Sequence, residues 1–469
     1  MRLQIRLSFG SAGLAEGIVR YGLSYFVLIY YSQVLGLPAK YAGFAIGVGF
    51  FVDAVSDPLV GWWSDRHRSS LGRRHPFLYA SIVPLALSFY LLWAPPTGSL
   101  SEMGLFAYLL ALCVCVRLAY TFYFIPVIAL VPEITRDYDE RTSINSTWAA
   151  SASFWGTMSY AAMYGYWLRD TPEYPNGFLR AAGYVEYGLV AGVIVLVAAT
   201  AAALGTQRAV PTTPRPPDPP VASIREVFGQ LRQTFSDSSV GAIVAAAVLN
   251  GTAGGLGNIL LIYLFSYYWE LESWQTSWLM ISGALGSLIA YAITPLVTRK
   301  YNKRNVQVCV GAASIVFHLA PYTLRSLGLF PGNDHPTLFP LLVGSAIIAG
   351  TADVLWTTVN QSMVADLVEA REIDTGRREE GVLASVQLFT RKASNSLGAM
   401  VGGVALSLID FPVQAAVGEV PQEAIFAIGL IYGPITGALY GAAVAVLYFY
   451  RIDRKTHAAN VAKLEQRGK

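Results

Sequence analysis

Apolar runs of about 20 residues, the length a helix needs to cross a bilayer, recur along almost the whole chain, and nothing else constrains the fold so strongly. Twelve stretches of this kind lie near 8–35, 41–64, 76–95, 103–131, 142–167, 182–205, 237–268, 273–298, 305–326, 336–365, 380–409 and 425–450. Hydrocarbon offers no partner to a backbone N–H or C=O, so runs of this kind close their hydrogen bonds internally, as helices. Of 469 residues, 54% are hydrophobic and 13% charged, and the chain left over is too short for a large soluble domain. The first apolar stretch contains Glu16 and Arg20 and runs on as a full span, so it does not read as a cleavable leader. Cys113, Cys115 and Cys309 all fall inside spans, and no disulfide framework is expected.

A formal net charge of +3 conceals a one-sided distribution. Asp65–His75 carries Arg66, Arg68, Arg73 and Arg74, and Arg299, Lys300, Lys303 and Arg304 follow the eighth stretch. The linker 206–236 and the tail from Arg451 are also basic, and with twelve spans all of these fall on one side. The positive-inside rule makes that side cytoplasmic, with both termini on it, in a multi-pass protein of the plasma (inner) membrane. Short basic runs abutting membrane spans read as topology signals, not as nucleic-acid patches.

Proline-rich 207–220, QRAVPTTPRPPDPP, favours an extended connector, and 223–235 reads as a short amphipathic surface helix. Six spans lie on each side of this break. The halves also echo one another. Pro58-Leu59-Val60 and Pro295-Leu296-Val297 precede equivalent basic loops, and Leu130-Val131-Pro132-Glu133 and Met363-Val364-Ala365-Asp366 close equivalent spans, each pair about 235 residues apart. The expected organisation is an N-terminal six-helix bundle over 1–205, a cytoplasmic linker over 206–236, a C-terminal six-helix bundle over 237–450 and a cytoplasmic tail over 451–469. The fold class is all-α and membrane-integral, twelve transmembrane helices in two pseudo-symmetric six-helix bundles, an architecture that suits rocking about a midplane site.

Charged residues inside spans are costly and mark function or pairing. Asp53 and Asp57 stand four apart, one helical turn, so both carboxylates leave the same face of span 2. With no basic neighbour on that helix, a bound cation is the simplest compensation. Oxygen ligands suit hard cations, and Ser56 and Thr121 are plausible additions to the pair. Na⁺ held by Asp53 and Asp57, or a proton on one of them, are both open readings. Glu16 and Arg20 are also four apart. Arg117 and Asp353 are candidates for inter-helix ion pairs, and Lys392 on span 11 is a candidate for the cavity. Tyr120 and Phe124 on span 4, Trp148 on span 5 and Trp356 on span 10 are candidate walls for a sugar ring or a lipid tail, although aromatics also pack and anchor. Asn250 and Asn258, with Gly254-Gly255 between them, suggest an irregular span 7. Gly429, Gly433, Gly437 and Gly441 form a small-residue seam expected to pack internally, in a monomer.

The run Asp53-Ala54-Val55-Ser56-Asp57-Pro58-Leu59-Val60-Gly61, followed by Gly72-Arg73-Arg74-His75-Pro76-Phe77, resembles the glycoside–pentoside–hexuronide:cation symporter family of the major facilitator superfamily, whose best-known member is the melibiose permease. Ile125-Pro126, Met363-Val364-Ala365-Asp366 and Ser385-Val386-Gln387 before Lys392 extend the likeness through both halves. The resemblance implies that Asp53 and Asp57 are the cation-site aspartates, with Thr121 as a polar neighbour and Lys392 as the helix XI lysine. It assigns conformational gating to the loop with Asp65, Arg66, Arg73 and Arg74. It also exposes departures: Phe124, Ile128, Gly17 and Ala149 stand where the melibiose permease has an aspartate, a tryptophan, an aspartate and an arginine. Glu16 replaces the missing helix I acid only in part.

The leading expectation is a secondary active transporter that couples Na⁺ or H⁺ to uptake of a sugar, glycoside or related organic solute by alternating access. The apolar Phe124 and Ile128 make an amphipathic anion such as a lysophospholipid the rival cargo. A membrane-embedded lipid enzyme is a remote reading, since H-E-x-x-H, G-x-S-x-G and clustered metal ligands are all missing from the sequence. The expected partners are a small or amphipathic substrate, the coupling cation and membrane lipids, with no cofactor and no nucleic acid.

Overall fold

A computed structural model describes residues 3–135, 137–207, 209, 238–375 and 380–450. The amphipathic helix expected over 223–235 and the tail lie outside the described residues. No strand occurs among the described residues, and twelve helices follow in order. We label them α1 Leu3–Val34, α2 Ala39–Arg66, α3 His75–Trp93, α4 Glu102–Ile134, α5 Tyr138–Ala162, α6 Ala181–Gln207, α7 Ser238–Tyr263, α8 Ser273–Lys300, α9 Lys303–Ser326, α10 Leu338–Thr375, α11 Glu380–Leu408 and α12 Gln422–Phe449. Ten are long and apolar enough to cross a membrane. The Ser- and Thr-rich α5 and the charge-bearing α11 are the other two. Leu59, Val83, Val197, Leu204, Leu288 and Leu296 are exposed on the helix surfaces, as lipid contact requires.

Wider π-type turns end or interrupt several rods: Gly22–Phe26 and Tyr30–Val34 in α1, Met163–Trp167 after α5, Leu264–Tyr268 after α7 and Ile431–Ile435 in α12. Such turns often occur at functional positions. The irregularity expected near Gly254-Gly255 is not there. α7 runs as a regular helix through both glycines, because flanking apolar residues such as Ala253, Leu256 and Ile259 are buried along it, and the wider turn comes after Tyr263.

Contacts group the chain into two units. The first comprises Met1–Pro214, Gly255–Ile281 and Ser396–Gly429. Here α1 lies against α5 and α6, α2 against α4, and α3 against α4 and α6. Glycines set the closest approaches. A Cβ on Gly13 would fall 2.4 Å from the Trp148 carbonyl oxygen, and one on Gly17 would fall 2.3 Å from that of Ala152. α2 meets the 396–408 stretch of α11 just as closely, since a Cβ on Gly43 would lie 2.7 Å from Gly403 Cα. At the end of this unit remote from the N-terminus, Gln33 and Tyr267 are buried together. Tyr267 Oη lies 3.0 Å from Gln33 Oε1 and 2.9 Å from the Ala415 carbonyl oxygen, its one proton shared between these two acceptors, and Gln33 Nε2 donates to the Pro412 carbonyl (3.0 Å). Nearby, Asp170 accepts from the Ser273 backbone N–H (2.8 Å) and the Ser273 hydroxyl (3.0 Å), capping α8 from a different segment.

The second unit comprises Arg215–Gly254, Ser282–Asn395 and Leu430–Lys469. Its core joins Val240, Ile243, Trp356, Val359, Met363, Leu367 and Leu447. Lys303 Nζ pairs with both oxygens of Asp366, at 2.7 and 2.9 Å. The small-residue seam of α12 packs internally as expected: Gly433 faces Tyr322 and Gly437 faces Leu319 in this unit, while Gly429 faces Tyr268 within the first.

Candidate functional site

α2 delivers Asp53, Ser56 and Asp57 to one face, and the packing of α4 sets Thr121 between them. Pro58 and Pro126 interrupt the hydrogen-bond ladders of the two helices beside this point, because proline lacks an N–H to donate. Asp53 is 2% exposed, Asp57 5% and Thr121 0%, so the acids are sealed in protein. Thr121 Oγ1 lies 2.9 Å from Asp53 Oδ1 and 3.0 Å from Asp57 Oδ1, and the Ser56 hydroxyl approaches it at 3.1 Å. All four residues expected to form a cation site therefore meet.

Arg117, one turn before Thr121 on α4, reaches the same cluster. Its Nη1 stands 3.5 Å from Asp53 Oδ2, and its guanidinium covers the Phe50 ring at 3.9 Å. The pairing of Arg117 was open in the sequence, and span 2 gave no sign of which acid it would meet.

A second polar group adjoins the first. Glu16 is 8% exposed; Arg20 Nε lies 3.9 Å from Glu16 Oε1, and Tyr120 Oη lies 3.5 Å from the same oxygen. Tyr120 and Phe124 are in ring contact at 4.3 Å, and Phe124 also meets Tyr123 at 5.0 Å. Trp148 is half-buried, and its indole Nε1 is buried with no hydrogen-bond partner among the described residues. Gly17 has no room for any side chain, which accounts physically for the lost acid there.

Two expected substrate residues, Trp356 and Lys392, belong to the second unit. Trp356 is a core residue of the second unit. Its ring fills the space over Gly311, where a Cβ would meet it at 2.7 Å. Lys392 is half-buried on α11 and also belongs to the second unit.

The basic loop is organised around an acid, Glu133. Glu133, at the end of α4, accepts from Arg73 Nη2 (2.9 Å) and Arg74 Nε (3.2 Å). Arg74 also donates to the Ser64 hydroxyl (2.5 Å) and pairs with Asp65. Arg66 is not part of this network and instead covers the Trp62 ring at 4.3 Å. The signal available for Glu133 was its position, closing a span at the level of two arginines.

The family model described as "MFS/sugar transport protein" matches residues 8–454. The chain belongs to this family. It is 22% identical to a putative glycoside/cation symporter of Escherichia coli (strain K12), over all of this chain and 96% of that protein. It is 23% identical to an isoprimeverose transporter of Lactiplantibacillus pentosus, over 98% of this chain and 91% of that one. Among solved structures, the nucleoside transporter NupG matches with a TM-score of 0.65 at 14% identity, covering 95% of this chain and 99% of NupG, a likeness of fold alone. The chain is thus a multi-pass integral membrane transporter of the major facilitator superfamily, of the glycoside–pentoside–hexuronide type, and not an enzyme. Its family implies a coupling cation and a small-molecule substrate.

Proposed function

We propose that this protein moves a sugar or glycoside across the membrane by cation-coupled symport, and that the Asp53–Thr121–Asp57 cluster is where the coupling ion binds. The observation that carries the reading is the convergence of two sealed carboxylates on one hydroxyl, between α2 and α4. Two acids in that place repel one another and demand positive charge, so binding an ion there changes how α2 and α4 are held. Symport follows when ion and cargo stabilise the switching-competent state only together. Glu16, Arg20, Tyr120 and the Trp148 indole N–H offer a set of donors and acceptors for sugar hydroxyls, with Tyr120 and Phe124 as a ring surface. The Arg73–Arg74–Glu133–Asp65 network acts as a gate on the basic side, which the positive-inside rule makes cytoplasmic, together with both termini. Lys392 stays in this reading as a candidate for holding the anionic part of a cargo.

An amphipathic anion is not favoured as cargo. The named relatives are sugar and glycoside transporters. Phe124, one of the two residues that suggested a lipid groove, is occupied with Tyr120 and Tyr123, and Ile128 is exposed.

The test is uptake into proteoliposomes of a panel of radiolabelled sugars and glycosides, with glucuronides and lysophospholipids as controls, under imposed Na⁺ or H⁺ gradients. Asp57→Asn is expected to abolish uphill accumulation while preserving downhill exchange. Gradient-driven accumulation by Asp57→Asn at the wild-type level would overturn the assignment.

A further inference from the structure

The second unit has a polar face of its own, and the function proposed above makes no use of it. We infer that this face of α10, centred on Asp353, is a cargo subsite for a hydroxyl-rich glycoside of at least two rings. The inference rests on the reading of the protein as a sugar or glycoside transporter.

Asp353 stands at the middle of the Leu338–Glu369 stretch, whose mean hydropathy of 1.9 marks it as membrane-crossing. Its side chain is nevertheless 58% exposed, and among the described residues no donor comes within hydrogen-bond range of its carboxylate. A carboxylate at that depth is not left to hydrocarbon, so water solvates it. Thr357 and Gln361 follow at intervals of four, the spacing of one helical face, and both are exposed as well. The other sides of α10 are taken. α8 closes on one of them, where a Cβ on Gly286 would fall 2.1 Å from the Ile347 carbonyl oxygen and Thr351 Oγ1 lies 3.0 Å from the Gly286 carbonyl oxygen. Trp356, Val359 and Met363 turn another into the core. Asp353, Thr357 and Gln361 therefore form the wet face of this helix.

The chemistry of the face suits hydroxyl groups. An ionised carboxylate accepts on both oxygens and donates nothing. His318 of α9 turns Nε2 toward Asp353 Oδ2 but stops at 3.9 Å, beyond hydrogen-bond range, while its Nδ1 donates to the Ser314 carbonyl (3.0 Å). The imidazole thus borders one side of the carboxylate and leaves its acceptor sites to a ligand. The Thr357 hydroxyl donates to the Asp353 backbone carbonyl (3.0 Å), so its oxygen also faces a ligand as an acceptor. Gln361 brings an amide that both donates and accepts. Two acceptors and an amide in a row complement the hydroxyls of a sugar. Tyr440 of α12, in ring contact with His318 at 5.9 Å, adds an aromatic surface beside them.

The extent of the face sets the size of the ligand. At 1.5 Å per residue, Thr357 is about 6 Å and Gln361 about 12 Å from Asp353 along the helix. One sugar ring held by Asp353 reaches Thr357, and a second ring is needed to reach Gln361. Hydrogen bonds to a carboxylate are the stronger ones, so Asp353 anchors the first ring and Gln361 reads the next.

The experiment joins cysteine labelling to uptake, both on the full-length protein in proteoliposomes. With Cys113, Cys115 and Cys309 replaced by serine, Thr357→Cys and Gln361→Cys are labelled with N-ethylmaleimide, and Leu341→Cys and Ile348→Cys, exposed apolar positions of the same helix, serve as controls. Both test positions are expected to react at least tenfold faster than the controls. Lactose, cellobiose and xylobiose are then compared with galactose, glucose and xylose. A disaccharide that the wild type takes up is expected to slow labelling at both positions, and a single ring at Thr357→Cys alone. Asp353→Asn is expected to raise the half-saturating concentration of that disaccharide at least tenfold. If Asp353→Asn does not yield folded protein, the two cysteine variants still decide the matter. Labelling no faster than in the controls, uptake of single rings only, or uptake of a disaccharide that protects neither position overturns the inference and leaves the transport reading standing. Absence of uptake for every sugar under either gradient refutes the transport reading, and the subsite with it, even where fast labelling shows that the face is wet.

Discussion

Tyr267→Phe removes one oxygen atom and is expected to loosen one end of the protein. The Tyr267 hydroxyl is buried and shares its one proton between Gln33 Oε1 and the Ala415 carbonyl, joining α1 to the turn after α7 and to the 412–415 segment. Its ring contacts with Phe178 (5.5 Å) and Phe411 (5.2 Å) survive the substitution, so packing is little changed. What changes is that Gln33 Oε1 keeps only the long approach of the Ala415 N–H (3.4 Å) among the contacts described, and the Ala415 carbonyl loses its tyrosine donor. Leaving such groups undersatisfied in a buried place costs about 1–3 kcal/mol. In a state opened at this end, water reaches all of them and the cost disappears, so it falls on the closed state alone. The population of the opened state should then rise about 5- to 150-fold. Ser32, 1% exposed in the same seam, is the reporter position. With Cys113, Cys115 and Cys309 replaced by serine, Ser32→Cys is labelled with a membrane-impermeant maleimide, and the rate is compared with and without Tyr267→Phe. When closing is fast relative to labelling, the rate follows the open population. A change of less than twofold would refute the claim that this buried network holds the end shut.

Three further outcomes are expected. Glu133→Gln should impair uptake more than Asp65→Asn, by about tenfold against about twofold, because Glu133 holds two arginines and is 14% exposed while Asp65 is 55% exposed and screened by water; uptake rates in proteoliposomes check the order, and its reversal refutes it. Lys303→Met should destabilise the second unit by about 1–3 kcal/mol, discounted from a fully buried pair because the lysine is 27% exposed, and Asp366→Leu added to it should recover most of the loss; melting temperatures of the single and double variants decide this. Gly403→Ala should lower the melting temperature, since a Cβ there would fall 2.5 Å from the Ala39 carbonyl oxygen and overpacking costs about 1–3 kcal/mol; an unchanged melting temperature would show that the α2–α11 approach is not tight.

Local periodicity made part of the site legible. Asp53 and Asp57 share a face of α2 because helical spacing places residues four apart one above the other, and that can be read from a string of letters. Ser56 falls close enough in sequence to be found in the same way, and the internal seam of α12 follows from glycines at intervals of four. Partners on other helices are different. Arg117 could have met any acid at its depth, and its meeting with Asp53 depends on how α4 is rotated against α2. Glu133 and the Gln33–Tyr267 network were hidden for the same reason: their contacts span from 59 to 382 residues of sequence. Trp356 poses the converse difficulty. An aromatic on an apolar helix has the same local signature whether it faces a cavity or fills the space above Gly311, and only the neighbouring helix decides between them.

The same distinction separates what motif resemblance carries from what it leaves out. The Asp53–Asp57 spacing and Thr121 suggest a cation site, whereas Arg117, which stands 3.5 Å from Asp53 in the same cluster, lies outside the motif. Likewise Gly17 is better understood as a steric requirement than as a missing acid, because α5 runs so close that a Cβ would be 2.3 Å from the Ala152 oxygen. An acid cannot be restored at position 17 without displacing α5. Glu16 occupies the neighbouring position, with its carboxylate turned to Arg20 and Tyr120. The chain therefore keeps a helix I acid but presents it one residue, and about 100° of helical rotation, away. In the proposed site a cargo would meet an acid already partnered by a guanidinium and a phenol, an arrangement that favours hydroxyl groups able both to donate and to accept over a fixed positive charge.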